Sequence, residues 1–159
     1  MNTAQQTALE TLVGRALTTE EISAIDPLLA DRNDGAIATL LSQGRTKLVQ
    51  HMIGERGVID KLGPVAGDAF LAALESIQAV GDLPAPMQPC FGAIKRGVAW
   101  LKTDAGLDVG SATLRGLLDA LVSAGKLDAT SVATIKALAV ESDPLSTYSV
   151  SVALNSAGA

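Results

Sequence analysis

The sequence predicts an all-α (mainly α) fold, a compact bundle of about seven or eight short helices. Apolar residues recur at spacings of three and four over most of the 159 residues. Residues that cap helices precede several of these stretches. Aromatic residues make up only 3% of the chain, so Leu, Ile, Val and Ala must build the core. Small side chains let helices approach closely, which suits an all-α domain.

Four helices are predicted in the first half of the chain. Thr18 and Glu21 have the spacing of a capping box and open the second of them. Asp34 is the expected cap of the third, and Pro64 suits the first turn of the fourth. The predicted helices are Thr3–Ala16, the helix that follows Thr18, Ala36–Ser42 and Val65–Val80.

The stretch 44–57 has neither a clean period of two nor a clean period of 3.6. We therefore expect a short extended segment near 46–53. Gly54 and Gly57 flank two charged residues, which indicates a turn, although a charged loop that meets a partner is the alternative. A single helical turn is expected over Gly57–Leu62.

Residues 81–89 contain Pro84, Pro86 and Pro89 and are the best candidate for a linker. We expect a single helical domain over 1–159, and this linker is where it would divide into 1–80 and 90–159. Beyond it, Cys90–Lys102 predicts a helix whose apolar set includes Trp100.

The stretch 111–139 predicts a helical hairpin at the centre of the bundle. Gly125 follows the last apolar position of its first helix, where a left-handed residue is favoured. Asp128 is placed to cap the second helix, and Ser146 to cap a last helix through Leu154. The hairpin positions that we expect to be buried are Leu114, Leu117, Leu118, Leu121, Val122, Val132, Ile135, Leu138 and Ala139. In the preceding loop 103–110, Leu107 and Val109 are expected to enter the core.

The charge and composition of the chain limit the classes of partner that it can have. The chain has 12 basic and 17 acidic residues, a net charge of −5, and this argues against a nucleic-acid partner. Charged residues are 18% of the chain, below the usual level of about 25%, so some apolar surface should stay exposed. Such surface is typical of a partner site or of self-association.

The residues needed for catalysis or metal binding are scarce. His51 is the only histidine and Cys90 the only cysteine, so neither a nucleophilic triad nor a usual zinc site is indicated. The segment Asp31–Gly35 fails as a calcium loop because its glycine and its twelfth position are wrong. We therefore predict a protein that is not an enzyme and needs no cofactor.

The lack of recognisable targeting signals predicts a protein that is made in a cytoplasm. The N-terminus lacks the basic and apolar blocks of a signal peptide, and no run approaches the roughly 20 apolar residues of a membrane span.

Two stretches are the predicted interaction surfaces. The first is 45–56, where unpaired backbone groups would accept a neighbouring strand. The second is the last helix, 146–155, which has few charges to keep it solvated. The candidate interaction residues are Arg45, Lys47, Val49, Glu55, Arg56, Tyr148 and Val152.

Several fragments together resemble small helical proteins of tailed bacteriophages that are encoded among tail and other virion genes. The resemblance covers about Ile22 to Leu154. The fragments that carry it are Leu41–Lys47, Gly54–Gly57 with Leu62–Pro64, Leu107–Gly110, Leu118–Val122, and Lys136–Ala139 with Asp143–Pro144.

The resemblance implies a virion or assembly role and no catalytic residues. It favours a structural or adaptor protein of the particle, present in the host cytoplasm during assembly and then in the virion. Its partners would be other phage structural proteins or further copies of itself, a homo-oligomer. The alternative is a phage interaction protein outside the virion, either an assembly chaperone or an inhibitor of a host defence system.

Overall fold

The structure, a computed structural model, describes residues 1–157. It is mainly helical, with 65% of residues in helices, which confirms the predicted fold class. Over the described residues the α-helices are α1 (Thr3–Val13), α2 (Thr19–Ala30), α3 (Asp34–Leu41), α4 (Glu55–Leu62), α5 (Pro64–Glu75), α6 (Phe91–Leu101), α7 (Ala112–Ser123), α8 (Ala129–Ala137) and α9 (Thr147–Ser156).

Four very short strands accompany these helices. Strands β1 (Thr46–Leu48) and β2 (Met52–Ile53) lie where an extended segment is predicted. Strands β3 (Leu107–Asp108) and β4 (Val140–Ser142) are not predicted, since β3 falls in the expected loop. β1 pairs with β4, and β2 pairs antiparallel with β3, so that Met52 lies opposite Asp108 and Ile53 opposite Leu107.

The chain divides into two compact units. The first contains residues 1–47 and the segment from Ser142 onward, and the second is Leu48–Glu141. The division does not fall at the predicted linker. Residues 81–89 lie inside the second unit, where 3₁₀ turns at Val80–Asp82 and Ala85–Cys90 carry Leu83 and Met87 into its core. Pro86 and Pro89 lie within the second of these turns and Pro84 precedes it, so these prolines belong to a folded turn and do not separate two halves.

In the first unit, α9 packs against α1 and α3. The capping box at the start of α2 is present: Glu21 N–H donates to Thr18 Oγ1 (3.2 Å) and Thr18 N–H to Glu21 Oε2 (2.9 Å). Asn33, and not Asp34, caps α3, because its Oδ1 accepts from Ala36 N–H (3.0 Å). The buried core of this unit is Leu9, Leu17, Ile25, Ile37, Ala38, Leu41, Val150 and Leu154.

In the second unit, the predicted hairpin is present as α7 and α8. Gly125 is left-handed (φ +68°), Lys126 N–H donates to Leu121 O (2.9 Å), and Asp128 caps α8 through Ser131 N–H (2.7 Å). Val109 enters the core as expected. The buried core of this unit is Ile53, Val58, Phe70, Leu74, Ile77, Leu83, Met87, Ile94, Leu101, Val109, Leu118, Leu121, Leu127, Val132, Ile135 and Ala139.

Several predicted boundaries are wrong. Helix α1 ends at Val13 instead of Ala16, and helix α3 begins at Asp34 instead of Ala36. Helix α4 begins at Glu55 with Gly54 as its N-cap, so Gly54–Gly57 is the start of a helix and not a turn before one. Helix α5 ends at Glu75 instead of Val80, although Ile77 beyond its end is buried.

We expect Leu121→Ala and Leu118→Ala each to lower the free energy of unfolding by about 2–5 kcal/mol. Both side chains are buried, with Leu121 only 1% exposed, and truncation leaves a cavity between packed helices. Urea unfolding measures the loss. Val65→Ala is the control, because Val65 is 83% exposed on α5. Equal midpoints for all three variants and the parent would show that the hairpin face is assigned wrongly.

A second prediction concerns pH. Hydrogen bonds from the Arg15 guanidinium and from Thr18 N–H lower the pKa of Glu21 to about 2. A carboxylate with a lowered pKa stabilises the fold above its unfolded pKa of about 4.3, and this contribution is lost as the pH falls through 4 towards 2. Glu21→Gln should therefore cost about 0.5–1 kcal/mol at pH 6, since the pair is partly exposed.

At pH 3 that difference should shrink by about half, measured by urea unfolding of both proteins at both pH values. Glu20→Gln on the neighbouring exposed position is the matched control for the loss of one charge. A difference that is the same at pH 6 and pH 3 would contradict the assigned hydrogen bonds.

Candidate binding groove

Arg45 is a structural residue of the first unit. Its guanidinium donates to Val13 O (3.0 Å) through Nη1, to Asp143 O (3.2 Å) through Nε, and to Asp143 Oδ2 (2.9 Å) through Nη2. The side chain thereby joins the end of α1 to the segment before α9. These bonds use three of the five N–H donors of the guanidinium.

Lys47 and Val49 lie in and just after β1. Lys47 is exposed, whereas Val49 is half-buried. The Val49 N–H donates to Ala139 O (2.9 Å), so this backbone donor is not open to a neighbouring strand. The prediction that 45–56 accepts a strand therefore loses part of its physical basis.

Glu55 and Arg56 lie in the first turn of α4. Glu55 faces Lys102 at 3.9 Å, and Lys102 also forms an ion pair with Glu75. Arg56 lies 3.7 Å from Asp60 one turn later, with both side chains largely in solvent. Exposed pairs of this kind contribute little to stability, so Arg56 keeps its charge at the surface.

Tyr148 and Val152 lie one turn apart on α9 of the first unit. Tyr148 is 77% exposed and Val152 is also exposed. The helix itself contains no charged residue. This face is an uncharged, partly apolar surface, and its role in binding stays a prediction.

The main cavity of the described residues is a groove on the second unit, which we call the α6–α7 groove. Its volume is about 440 Å³, and α6 and α7 form its walls. Buried leucine and isoleucine side chains form its floor, whereas Met52 and Trp100 stand exposed at its edge. The lining residues are Met52, Leu74, Ala93, Ile94, Gly97, Val98, Trp100, Leu101, Ala105, Gly106, Leu107, Asp108, Ser111, Thr113, Leu114, Leu117, Leu118 and Leu121.

Trp100 is the tryptophan of this chain and is 54% exposed. The sequence pattern places Trp100 in the apolar set of its helix. This prediction is wrong, because the Trp100 side chain does not lie in the core. The spacing of Ile94, Val98 and Leu101 defines the buried stripe of α6, and Trp100 lies about 100° away from Leu101 on the helix. That offset is the signal that separates the exposed Trp100 from the core.

A close backbone approach forms one end of the groove. A Cβ atom on Gly110 would lie 2.0 Å from Val49 O, and one on Gly106 would lie 2.6 Å from Ile53 O. Both distances are too short for any side chain. Glycine at 106 and 110 therefore allows the segment 106–110 to lie directly on the backbone of 49–54.

Asp108 lies in this segment and lines the groove. Its Oδ1 accepts hydrogen bonds from His51 N–H (3.0 Å) and Gly110 N–H (2.9 Å). The two bonds, together with the pairing of β2 and β3, hold the carboxylate in one position.

The chain has one histidine, His51, and one cysteine, Cys90. The His51 and Cys90 side chains are half-buried, and Cys90 packs against the core of the second unit. Among residues 1–157, no group of three or more His, Cys, Asp or Glu side chains is placed to hold a metal ion. Over the same residues, no helix has the length and apolar character that crossing a membrane requires.

None of the seven predicted interaction residues lines the α6–α7 groove. From the predicted stretch 45–56 only Met52 reaches it. The groove cannot be recognised in the sequence, because its walls are two helices that the pattern of the chain alone does not bring together.

Comparison with known proteins adds no assignment, since the chain matches no protein-family model, no curated protein and no solved structure.

Proposed function

We propose that this chain is a non-enzymatic protein that acts through protein–protein contacts, with the α6–α7 groove as its binding surface. The observation that carries the proposal is a concave, almost wholly apolar surface with an exposed tryptophan at its edge. Tryptophan and methionine are enriched in protein interfaces, and binding energy concentrates where such side chains enter a pocket. Trp100 and Met52 stand exposed at the edge of the groove, where a partner that enters it would cover both side chains.

The biological setting that we propose is the particle of a tailed bacteriophage, in which this chain is a structural or adaptor subunit. The support is the resemblance of fragments between Ile22 and Leu154 to helical proteins encoded among virion genes. The low content of charged residues, 18%, agrees with a protein that is covered by partners. The partner is either another structural protein or a second copy of this chain.

The test of the setting is mass spectrometry of purified particles from the phage or prophage that encodes the chain. Stoichiometric copies in the particle support a virion role. Absence from the particle, with the chain present in the infected cell, favours an assembly chaperone or an inhibitor of host defence.

Trp100→Ala should reduce recovery of the chain in particles at least about tenfold, because truncating a tryptophan that a partner covers costs about 2 kcal/mol or more. Quantitative mass spectrometry measures the recovery, and circular dichroism checks that the variant is folded. Tyr148→Ala is the matched control, since it removes an exposed aromatic side chain from a helix of the first unit.

Recovery of the Tyr148→Ala protein should stay within about twofold of the parent. Loss with Tyr148→Ala and not with Trp100→Ala would move the binding surface to α9. No loss with either variant would contradict both surfaces.

His51→Ala and Cys90→Ala should each leave particle recovery and infectivity unchanged, as long as the variant is folded. Among the described residues, neither side chain belongs to a group of three or more His, Cys, Asp or Glu that could hold a metal ion. Plaque counts measure infectivity, and thermal melts check that the variant is folded. A folded variant that gives no infectious particles would contradict the non-enzymatic assignment.

A further inference from the structure

Asp108 is the only charged residue among those that line the α6–α7 groove. The other lining residues are apolar or carry at most a hydroxyl group, as Ser111 and Thr113 do. A single carboxylate on an otherwise apolar wall gives the groove a defined charge at a defined place.

The carboxylate is fixed but not neutralised. Its Oδ1 accepts from two backbone N–H groups, whereas Oδ2 has no hydrogen-bond partner among residues 1–157. Asp108 also forms no salt bridge with the basic residues of the described chain. The nearest basic residue in sequence, Arg115, donates through Nη1 to the backbone oxygens of Val109 (3.3 Å) and Lys136 (2.7 Å) instead.

Such a carboxylate attracts a cation more strongly once a partner covers the groove. Covering removes water, lowers the local dielectric constant, and strengthens the attraction between the carboxylate and a positive charge. Trp100 adds a second element, because the face of an indole ring attracts ammonium and guanidinium groups.

We propose that the groove binds an amphipathic helix of a partner protein that places a Lys or Arg side chain against Asp108. This inference rests on the proposed protein-binding function and names the chemistry of the partner. The charge of Asp108 favours a basic residue, and helical walls with an apolar floor fit the binding mode in which a helix enters a groove between helices.

The probe is a displayed library of 18-residue amphipathic helical peptides with Leu, Ile and Phe on one face and Lys, Arg, Glu and Gln varied at the flanks. Selection uses the full chain as bait. Because the chain has one tryptophan, a change in its fluorescence on adding a selected peptide reports occupancy beside Trp100. Peptides whose binding is lost with Trp100→Ala are the groove binders.

Groove binders should carry Lys or Arg at one fixed flank position, and Asp108→Asn should weaken them about tenfold, the effect of losing one charged hydrogen-bond partner. Asparagine keeps the Oδ1 acceptor, so the hydrogen bonds from His51 N–H and Gly110 N–H are retained. Asp104→Asn is the control, because Asp104 is exposed, carries the same charge and does not line the groove. It should change the affinity by less than about twofold.

A second measurement replaces the basic residue of the peptide by Gln and tests this peptide against the parent chain and against Asp108→Asn. It should weaken binding to the parent chain but not to Asp108→Asn. If Asp108→Asn does not fold, this peptide substitution alone decides the matter: an unchanged affinity for the parent overturns the inference.

The remaining outcomes also separate the two proposals. Groove binders without a preferred basic residue, or equal effects of the two asparagine variants, overturn the Asp108 inference and leave the protein-binding function in place. If no selected peptide depends on Trp100, both proposals fail. Tighter binding of myristate than of any peptide would overturn the helix as the occupant, because myristate is an anion without a helical face.

Discussion

The close contact between the backbone segments 49–54 and 106–110 is the constraint on which the candidate site depends. It exists only because Gly106 and Gly110 lack a Cβ atom, which would overlap the carbonyl oxygens of Ile53 and Val49. The contact lets β3 pair with β2, inserts Val109 into the core and sets Asp108 at the end of the groove. These two segments are far apart in the chain, so the loop-closure entropy must be offset by the core that they help to bury.

The groove itself follows from the shortage of large side chains. Gly97 on α6 and Ala105 and Gly106 beyond it line the cavity with little or no side-chain volume. In a chain with 3% aromatic residues, no second bulky side chain closes this space. Trp100, which has the volume to do so, lies off the buried stripe and stays 54% exposed. An apolar cavity that the chain leaves open is therefore a consequence of composition and helix phase together.

Much of the helical structure could be predicted because its signals are local. The caps at Thr18, Asp128 and Ser146 and the left-handed Gly125 each act within one turn of the chain. The Asp34 assignment failed by one residue because neighbouring Asn and Asp side chains are both good caps. The β pairings and the two units could not be predicted, since strands of two or three residues carry almost no periodicity and their partners lie about 55 to 95 positions away.

Exposure alone does not make an aromatic residue a binding centre. Tyr148 is more exposed than Trp100, but it stands on the outward face of α9 and does not line the α6–α7 groove. A partner that covers Tyr148 would bury one ring against an open helix surface, with water left around it. A partner that enters the groove buries Trp100 against a preformed floor of packed side chains, and it does not have to order that floor first. This difference in preorganisation, and not in exposed area, is why the α6–α7 groove is the better candidate of the two surfaces.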